Sequence, residues 1–280
     1  MNIINAIINL INNPVTELQE TYKSKNRANN MGDALEEYVK DLFANTFNFT
    51  DESKRLEELQ RVFSYLGNNS NPPDAMLKGG DAIEVKKIES KNAALALNSS
   101  YPKQKLFSSS TMISDACKNA EVWNEKDMIY IVGIVDGKKL KNLSFVYGLD
   151  YCAIESTYAG LKTKIKDGIH SIGGIDFTET KELGHINKVD PLGITYMRVR
   201  GMWGIENPFK VFDYAYKRDF TKDFNFMSII NESKWNEFDN TNELMSLVGV
   251  VDNLEVIDIK VKNPDNPAQL RNAKLIKLTK

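Results

Sequence analysis

Through the first seventy residues, apolar side chains recur at helical spacing. In "MNIINAIINLINN" the isoleucines at 3, 4, 7, 8 and 11 fall on one helical face. "GDALEEYVKDLF" repeats the pattern at Leu35, Val39 and Leu42. Leu56, Leu59, Val62, Phe63 and Leu66 predict a further helix, which Gly67 is placed to cap. "NNSNPP", residues 68–73, then breaks the chain, and the period changes to two: in "AIEVKK", Ile83 and Val85 share one face of a strand, Glu84 and Lys86 the other. "SSSTMISDACKNAEVW" returns to helical spacing, with serines as N-caps and Ile113, Ala116, Cys117, Ala120 and Trp123 as a buried stripe. "DMIYIVGIVDGKKLKNLSFVYGLDY" is rich in β-branched and aromatic residues around Asp136-Gly137, a strong hairpin signal. Beyond residue 160 come glycine-rich turns, a strand in "GITYMRVRG", the aromatic stretch "NPFKVFDYAYKRDF", and strand candidates in "LMSLVGVV" and "LEVIDIKVK". The pattern predicts an α/β (or α+β) fold with a mixed central sheet flanked by helices.

The chain length of 280 residues suits one domain with elaborations. It divides into an N-terminal helical part (about 1–70), a core (about 71–160) and a remainder (about 161–280). A net charge of -2 supplies no global basic signature, so a nucleic-acid partner would have to be held by a local surface. Two cysteines, Cys117 and Cys152, are too few for a disulfide framework and suit a reducing cytoplasm. The isoleucine-rich N-terminus has no basic flank and is too short to span a bilayer, so neither a signal nor a membrane anchor is expected.

Candidate chemistry concentrates in "PPDAMLKGGDAIEVKK", residues 72–87. Whether Asp74 joins Glu84 and Lys86 depends on hairpin register, because a slip of one residue reverses the face. A two-residue Gly79-Gly80 loop would oppose Asp74 to Val85, on the wrong side. A three-residue loop of Gly79, Gly80 and Asp81, or an equivalent bulge, would oppose Asp74 to Lys86 and Leu77 to Ile83. Two carboxylates can hold a hard cation such as Mg²⁺ and leave sites for water and a phosphate oxygen. A lysine beside them can orient or deprotonate the water, although it serves as a base only if its pKa is lowered. The motif alone also fits a solvated hairpin. His170 and His185 stand far apart and are not expected to be catalytic.

With Pro73-Asp74, nine residues, then Glu84-Val85-Lys86, preceded by a helix containing "MGDALEEY", the chain resembles the PD-(D/E)xK nuclease superfamily. "YKSKNRANNMGDALEEYVKDLF", "LNSSYPKQKL" and "GITYMRVRGMWGIENP" are similar more narrowly to the NgoPII-type group of restriction endonucleases, which cut the palindrome GGCC. That similarity covers residues 1 to about 215 and is weak beyond. It implies a restriction-endonuclease-like core, catalytic Asp74, Glu84 and Lys86, and one or two Mg²⁺ held by Asp74 and Glu84 with the Val85 carbonyl. A glutamate in the early helix serves a second metal or a bridging water in related nucleases. Glu36, at the border of the buried stripe and about 100 degrees from Leu35, is the better candidate for that role than Glu37.

For reading double-stranded DNA, Arg198 and Arg200 project from the same side of "ITYMRVRG", with Met197 and Val199 turned inward. Each arginine could grip a guanine through O6 and N7. Asn98, Ser99, Ser100, Lys103 and Lys105 follow soon after the catalytic strand, and Lys23, Lys25 and Arg27 precede the Glu36 helix; these types bind phosphates or base edges. A palindromic site implies a homodimer, and the family implies 5'-phosphate ends and a companion DNA methyltransferase. Residues 220–280 either complete the sheet or build the dimer contact. The rival expectations are a structure-specific repair or junction-resolving nuclease and a non-catalytic DNA-binding protein.

Overall fold

The structure is a computed structural model that describes the chain except Lys25, Asn26, Asn29, Asn69 and Ser70, together with the Ser24 side chain. Four helices come first: α1 (Ile3–Asn12), α2 (Leu18–Ser24), α3 (Met31–Ala44) and α4 (Glu52–Val62). The N-terminal amphipathic face is confirmed: Ile3, Ile4, Ile7, Ile8 and Ile11 are all buried, and an Asn2–Asn5 capping box starts the helix. Asn30 caps α3, and Asn45 ends it in the left-handed conformation. α4 stops at Val62, earlier than predicted, because Phe63 leaves it as the first residue of strand β1 (Phe63–Tyr65). Gly67 therefore caps no helix.

Strands β2 (Ala75–Leu77), β3 (Ala82–Ile88), β4 (Leu95–Asn98) and β5 (Lys105–Phe107) follow. The helix expected in "SSSTMISDACKNAEVW" shrinks to one turn, α5 (Asp115–Lys118), capped by Ser114; Ile113 and Cys117 are buried, but Ala116 is exposed. The predicted hairpin forms as β6 (Glu125–Asp136) and β7 (Lys139–Tyr147), with Gly137 in the left-handed region. Short α6 (Gly148–Tyr151) leads to α7 (Glu155–His170), a helix not anticipated, which has no buried residue and hence no apolar stripe to betray it.

Next come β8 (Asp176–Glu179), β9 (Gly184–Asn187) and β10 (Met197–Val199), a separate antiparallel sheet, then β11 (Trp203–Ile205), paired with β4, and α8 (Pro208–Val211). β12 (Asn225–Asn231), α9 (Glu232–Glu237), α10 (Thr241–Leu247), β13 (Leu254–Asn263) and β14 (Asn266–Thr279) complete the chain. "LMSLVGVV", expected as a strand, instead ends α10 with its first half and turns with its second, where Val248 and Val251 form only an isolated bridge, a short apolar run being ambiguous between the two periods. The main sheet runs β1-β2-β3-β6-β7-β12-β14-β13 and is mixed, with β3 parallel to β6 and β7 parallel to β12. Residues 220–280 thus complete the sheet.

Each face of the sheet carries a core. Ile83, Val85, Ile129, Ile131, Phe145 and Phe226 pack with α1 and α3, whereas Ala82, Met128, Tyr130, Val132 and Met227 pack with α8 and its neighbours. Period-two alternation along β3 therefore assigns Ile83 and Val85 to the helical side and Glu84 to the other.

Candidate active site

The β2–β3 hairpin gathers the first carboxylates. Ala75 pairs with Ile83 and Met76 with Ala82, and the Leu77 N–H donates to the Asp81 carbonyl at 2.9 Å. The loop is Lys78-Gly79-Gly80, one residue earlier than expected. It has the predicted odd length, so Asp74 does share a face with Glu84 and Lys86, but the expected Asp74–Lys86 and Leu77–Ile83 pairs do not form. Distant side chains select this register. Glu121 accepts from the Gly79 N–H at 2.9 Å, and the buried Lys126 ammonium donates to the carbonyls of Leu77 (2.9 Å) and Gly80 (2.7 Å) while pairing with Glu121.

Asp74 is pinned on both sides. Its N–H donates to the Ile83 carbonyl at 2.9 Å, and its Oδ2 accepts from the Val85 N–H at 2.6 Å. Behind it, Gly67 adopts a φ of 78°, and a methyl group there would overlap the Asp74 carbonyl. The glycine assigned to a helix cap is needed instead for close backbone approach. Lys86 Nζ lies 2.6 Å from Glu84 Oε1, while Glu84 Oε2 is buried with no hydrogen-bond partner among the described residues.

Burial, and then the neighbouring Glu84, push the Asp74 carboxyl up to about 7. Burial pulls the Lys86 ammonium down, but Glu84 and Asp74 more than offset it and leave its pKa above the ordinary lysine value. Lys86 is therefore a charged donor here and not a free base, contrary to the lowered pKa that a base would require. Two crowded carboxylates, one with an orphaned buried oxygen, suit a hard cation. Among the described residues no three His, Cys, Asp or Glu side chains form a metal cluster. Asp74, Glu84 and the Val85 carbonyl would then leave the remaining coordination to water and phosphate. Glu36 makes no hydrogen bond or ion pair among the described residues; burial raises its pKa, and it acts on Asp74 and Lys86 only as a more distant charge.

An open pocket of about 350 Å³ lies over this hairpin, lined by Asp74, Glu84 and Lys86 together with Asn98, Ser99, Ser100, Lys103, Glu182 and Arg200. The segment after β4 thus does reach the carboxylates. Asn98 has a left-handed φ of 52° and pairs with Trp203 across β4 and β11. Ser99 Oγ donates to Glu182 at 2.8 Å, and Lys103 Nζ donates to Ser100 Oγ. Arg198 and Arg200 do share a side: both bind Glu182, at 2.9 and 3.1 Å, and Arg200 also donates to Ser99 Oγ at 2.9 Å. Met197 is exposed rather than turned inward, because β10 belongs to the small outlying sheet. Glu182, the carboxylate that holds both arginines, carries no signal in the sequence; it follows a "TK" pair in an ordinary polar loop.

The remaining basic candidates lie elsewhere. Arg27 has 4% side-chain exposure, pairs with Asp41 (3.5 Å) and Glu52 (3.0 Å), and donates to the Phe49 carbonyl. It ties α3 to α4, with Arg55 bridging Glu37 and Asp41 beside it. Lys23 is exposed on α2, Lys105 pairs with Glu125, and Lys25 lies outside the described residues. His170 contacts Glu179, and His185 packs against Tyr196; neither lines the pocket.

The NgoPII restriction endonuclease family matches the chain over residues 1–262. A protein described as type II restriction enzyme NgoPII, from Neisseria gonorrhoeae, is 63% identical over 277 residues, 99% of each chain. No solved structure matches at a significant level.

Proposed function

The chain belongs to the NgoPII restriction endonuclease family, and on that premise we propose that it hydrolyses double-stranded DNA at GGCC, with Mg²⁺, as a homodimer. The observation that carries the catalytic part is the convergence of Asp74, Glu84 and Lys86 on one pocket that also contains Arg200. Asp74 and Glu84 would hold the cation, one or two per site, with Glu36 available to act through water. Mg²⁺, when bound, would neutralise charge developing on the phosphate and lower the pKa of its water. Lys86, fixed by Glu84, donates to the attacking water or the phosphate and orients it. Attack of this water on phosphorus breaks the P–O3' bond and leaves 5'-phosphate ends; one water proton passes to solvent, and the departing 3' oxygen takes up a proton to leave as the hydroxyl.

Arg198 and Arg200 each present a planar donor pair suited to guanine O6 and N7. Asn98, Ser99, Ser100 and Lys103 line the route from these arginines to the carboxylates. A palindrome read by one such arm per subunit calls for two-fold symmetry, one centre per strand. A separate methyltransferase protecting the same sequence would complete the restriction system. Among the described residues no helix is long and apolar enough to cross a membrane.

Incubating purified protein and Mg²⁺ with a long DNA of known sequence tests this reading. Discrete fragments ending within GGCC are expected. Cleavage confined to branched DNA would replace it with a junction-resolving nuclease, and no cleavage with any divalent metal would remove the nuclease reading.

A further inference from the structure

We propose that Lys103 is a second phosphate-binding cation of the cleavage centre, contacting a non-bridging oxygen of the scissile phosphodiester. This rests on the nuclease reading above and assigns a substrate contact to a particular atom. The Lys103 residue is only 8% exposed, yet it lines the same pocket as Asp74, Glu84 and Lys86. Its ammonium donates to Ser100 Oγ and, at 3.1 Å, to the Tyr101 carbonyl, and it lies 4.8 Å from the centre of the Tyr101 ring. All these partners are neutral. Among the described residues no carboxylate stands within ion-pair distance, whereas the other buried lysine, Lys126, pairs with Glu121.

An ammonium has three donors, and two are used here. Taking an ion out of water without a counter-charge costs several kcal/mol in proteins generally, which a neutral glutamine tying the same two acceptors would avoid. Desolvation accordingly lowers the Lys103 pKa, with Glu84 opposing from farther away. A phosphodiester entering the pocket supplies both the missing counter-charge and an acceptor for the third N–H. Its equatorial oxygens gain negative charge in the transition state, where a fixed donor in a dry site is most effective.

The position is built rather than incidental. The Lys103 N–H donates to Tyr130 Oη at 2.7 Å, and Tyr130 is the neighbour of Glu84 across the β3–β6 ladder. On the other side, a methyl group on Gly148 would overlap the Lys103 carbonyl. One buried tyrosine thereby sets the spacing between this lysine and the carboxylate that holds the cation.

The experiment compares Lys103→Met and Lys103→Gln with wild type in three measurements: thermal unfolding, DNA binding in Ca²⁺ across a salt series, and single-turnover cleavage in Mg²⁺. Expected are an unchanged or raised melting temperature, a salt dependence of log Kd shallower by about 0.9, and cleavage slower by on the order of 10²-fold. An unchanged salt slope with wild-type cleavage in either folded variant overturns the proposal. So does a lowered melting temperature whose cleavage defect vanishes on cooling, since the lysine is then only a structural tie. Lys86→Ala separates the two readings: if it is inactive while Lys103→Met cleaves normally, the Lys103 role fails alone. If wild type cleaves no DNA, the nuclease reading fails first.

Discussion

The hairpin that carries Asp74, Glu84 and Lys86 and the arginine-bearing arm are built in opposite ways. β3 is buried along most of its length, and its turn is gripped by Glu121 and Lys126. From α7 through β10 the chain buries almost nothing; Leu183 and Gly184 are its buried positions. Its two arginines are held by one carboxylate on a half-exposed surface. The hairpin's geometry is therefore fixed by buried contacts, whereas the arginines are positioned by surface ion pairs that a competing anion can replace; under the proposed function, the first would set cleavage and the second base reading. Glu182 takes up donors of both arginines and accepts from the Ser99 hydroxyl as well.

The largest effect expected from breaking the rigid side is at Lys86. Lys86→Ala should slow cleavage on the order of 10² to 10³-fold while specific binding in Ca²⁺ persists, because both carboxylates and the arm remain. Gel-shift and single-turnover assays on the same preparation check this, and retained activity would remove Lys86 from the mechanism.

Gly67→Ala attacks the same centre without touching a functional side chain. Shifting Asp74 should cost on the order of a hundredfold in rate, besides about 1 to 2 kcal/mol of backbone strain. Gly137, in the β6–β7 turn, also has positive φ but nothing nearby for a methyl group to strike. Gly137→Ala should lose only the backbone strain by thermal melting and keep its cleavage rate, so equal activity losses in the two variants would count against the Asp74 explanation.

On the adaptable side, Arg200→Ala should cost about 1 to 3 kcal/mol of discrimination between GGCC and singly altered sites. Equal loss of affinity for every sequence would make Arg200 a phosphate contact. A further test on the hairpin side concerns pH and leaves cleavage out of the readout. The Asp74 carboxyl stands near 7 when folded against 3.8 ordinarily, so the folded state holds its proton longer and stability falls as pH rises between those values. In metal-free buffer the melting temperature of wild type should decline relative to Asp74→Asn from pH 5 to pH 8. Adding Ca²⁺ at pH 8 should reverse the difference, and a constant difference across the range would mean that Asp74 titrates normally.

Sequence alone determined whatever depends on near neighbours. The buried isoleucine face of α1, the Asp136-Gly137 hairpin and the shared face of Glu84 and Lys86 follow from periodicity and turn chemistry, which act over a few residues. The missed elements lacked such a signal: α7 has no apolar stripe, and "LMSLVGVV" is too short to distinguish a helix from a strand. The hairpin shows the boundary well. Its alternation committed Asp74 to one of two faces, but Glu121 and Lys126, some forty residues on, selected the register. In the same way Gly67 meets Asp74, Tyr130 spaces Lys103 from Glu84, and Glu182 joins Ser99 to both arginines only after the sheet has closed. These contacts depend on where remote segments pack, and no local pattern encodes that.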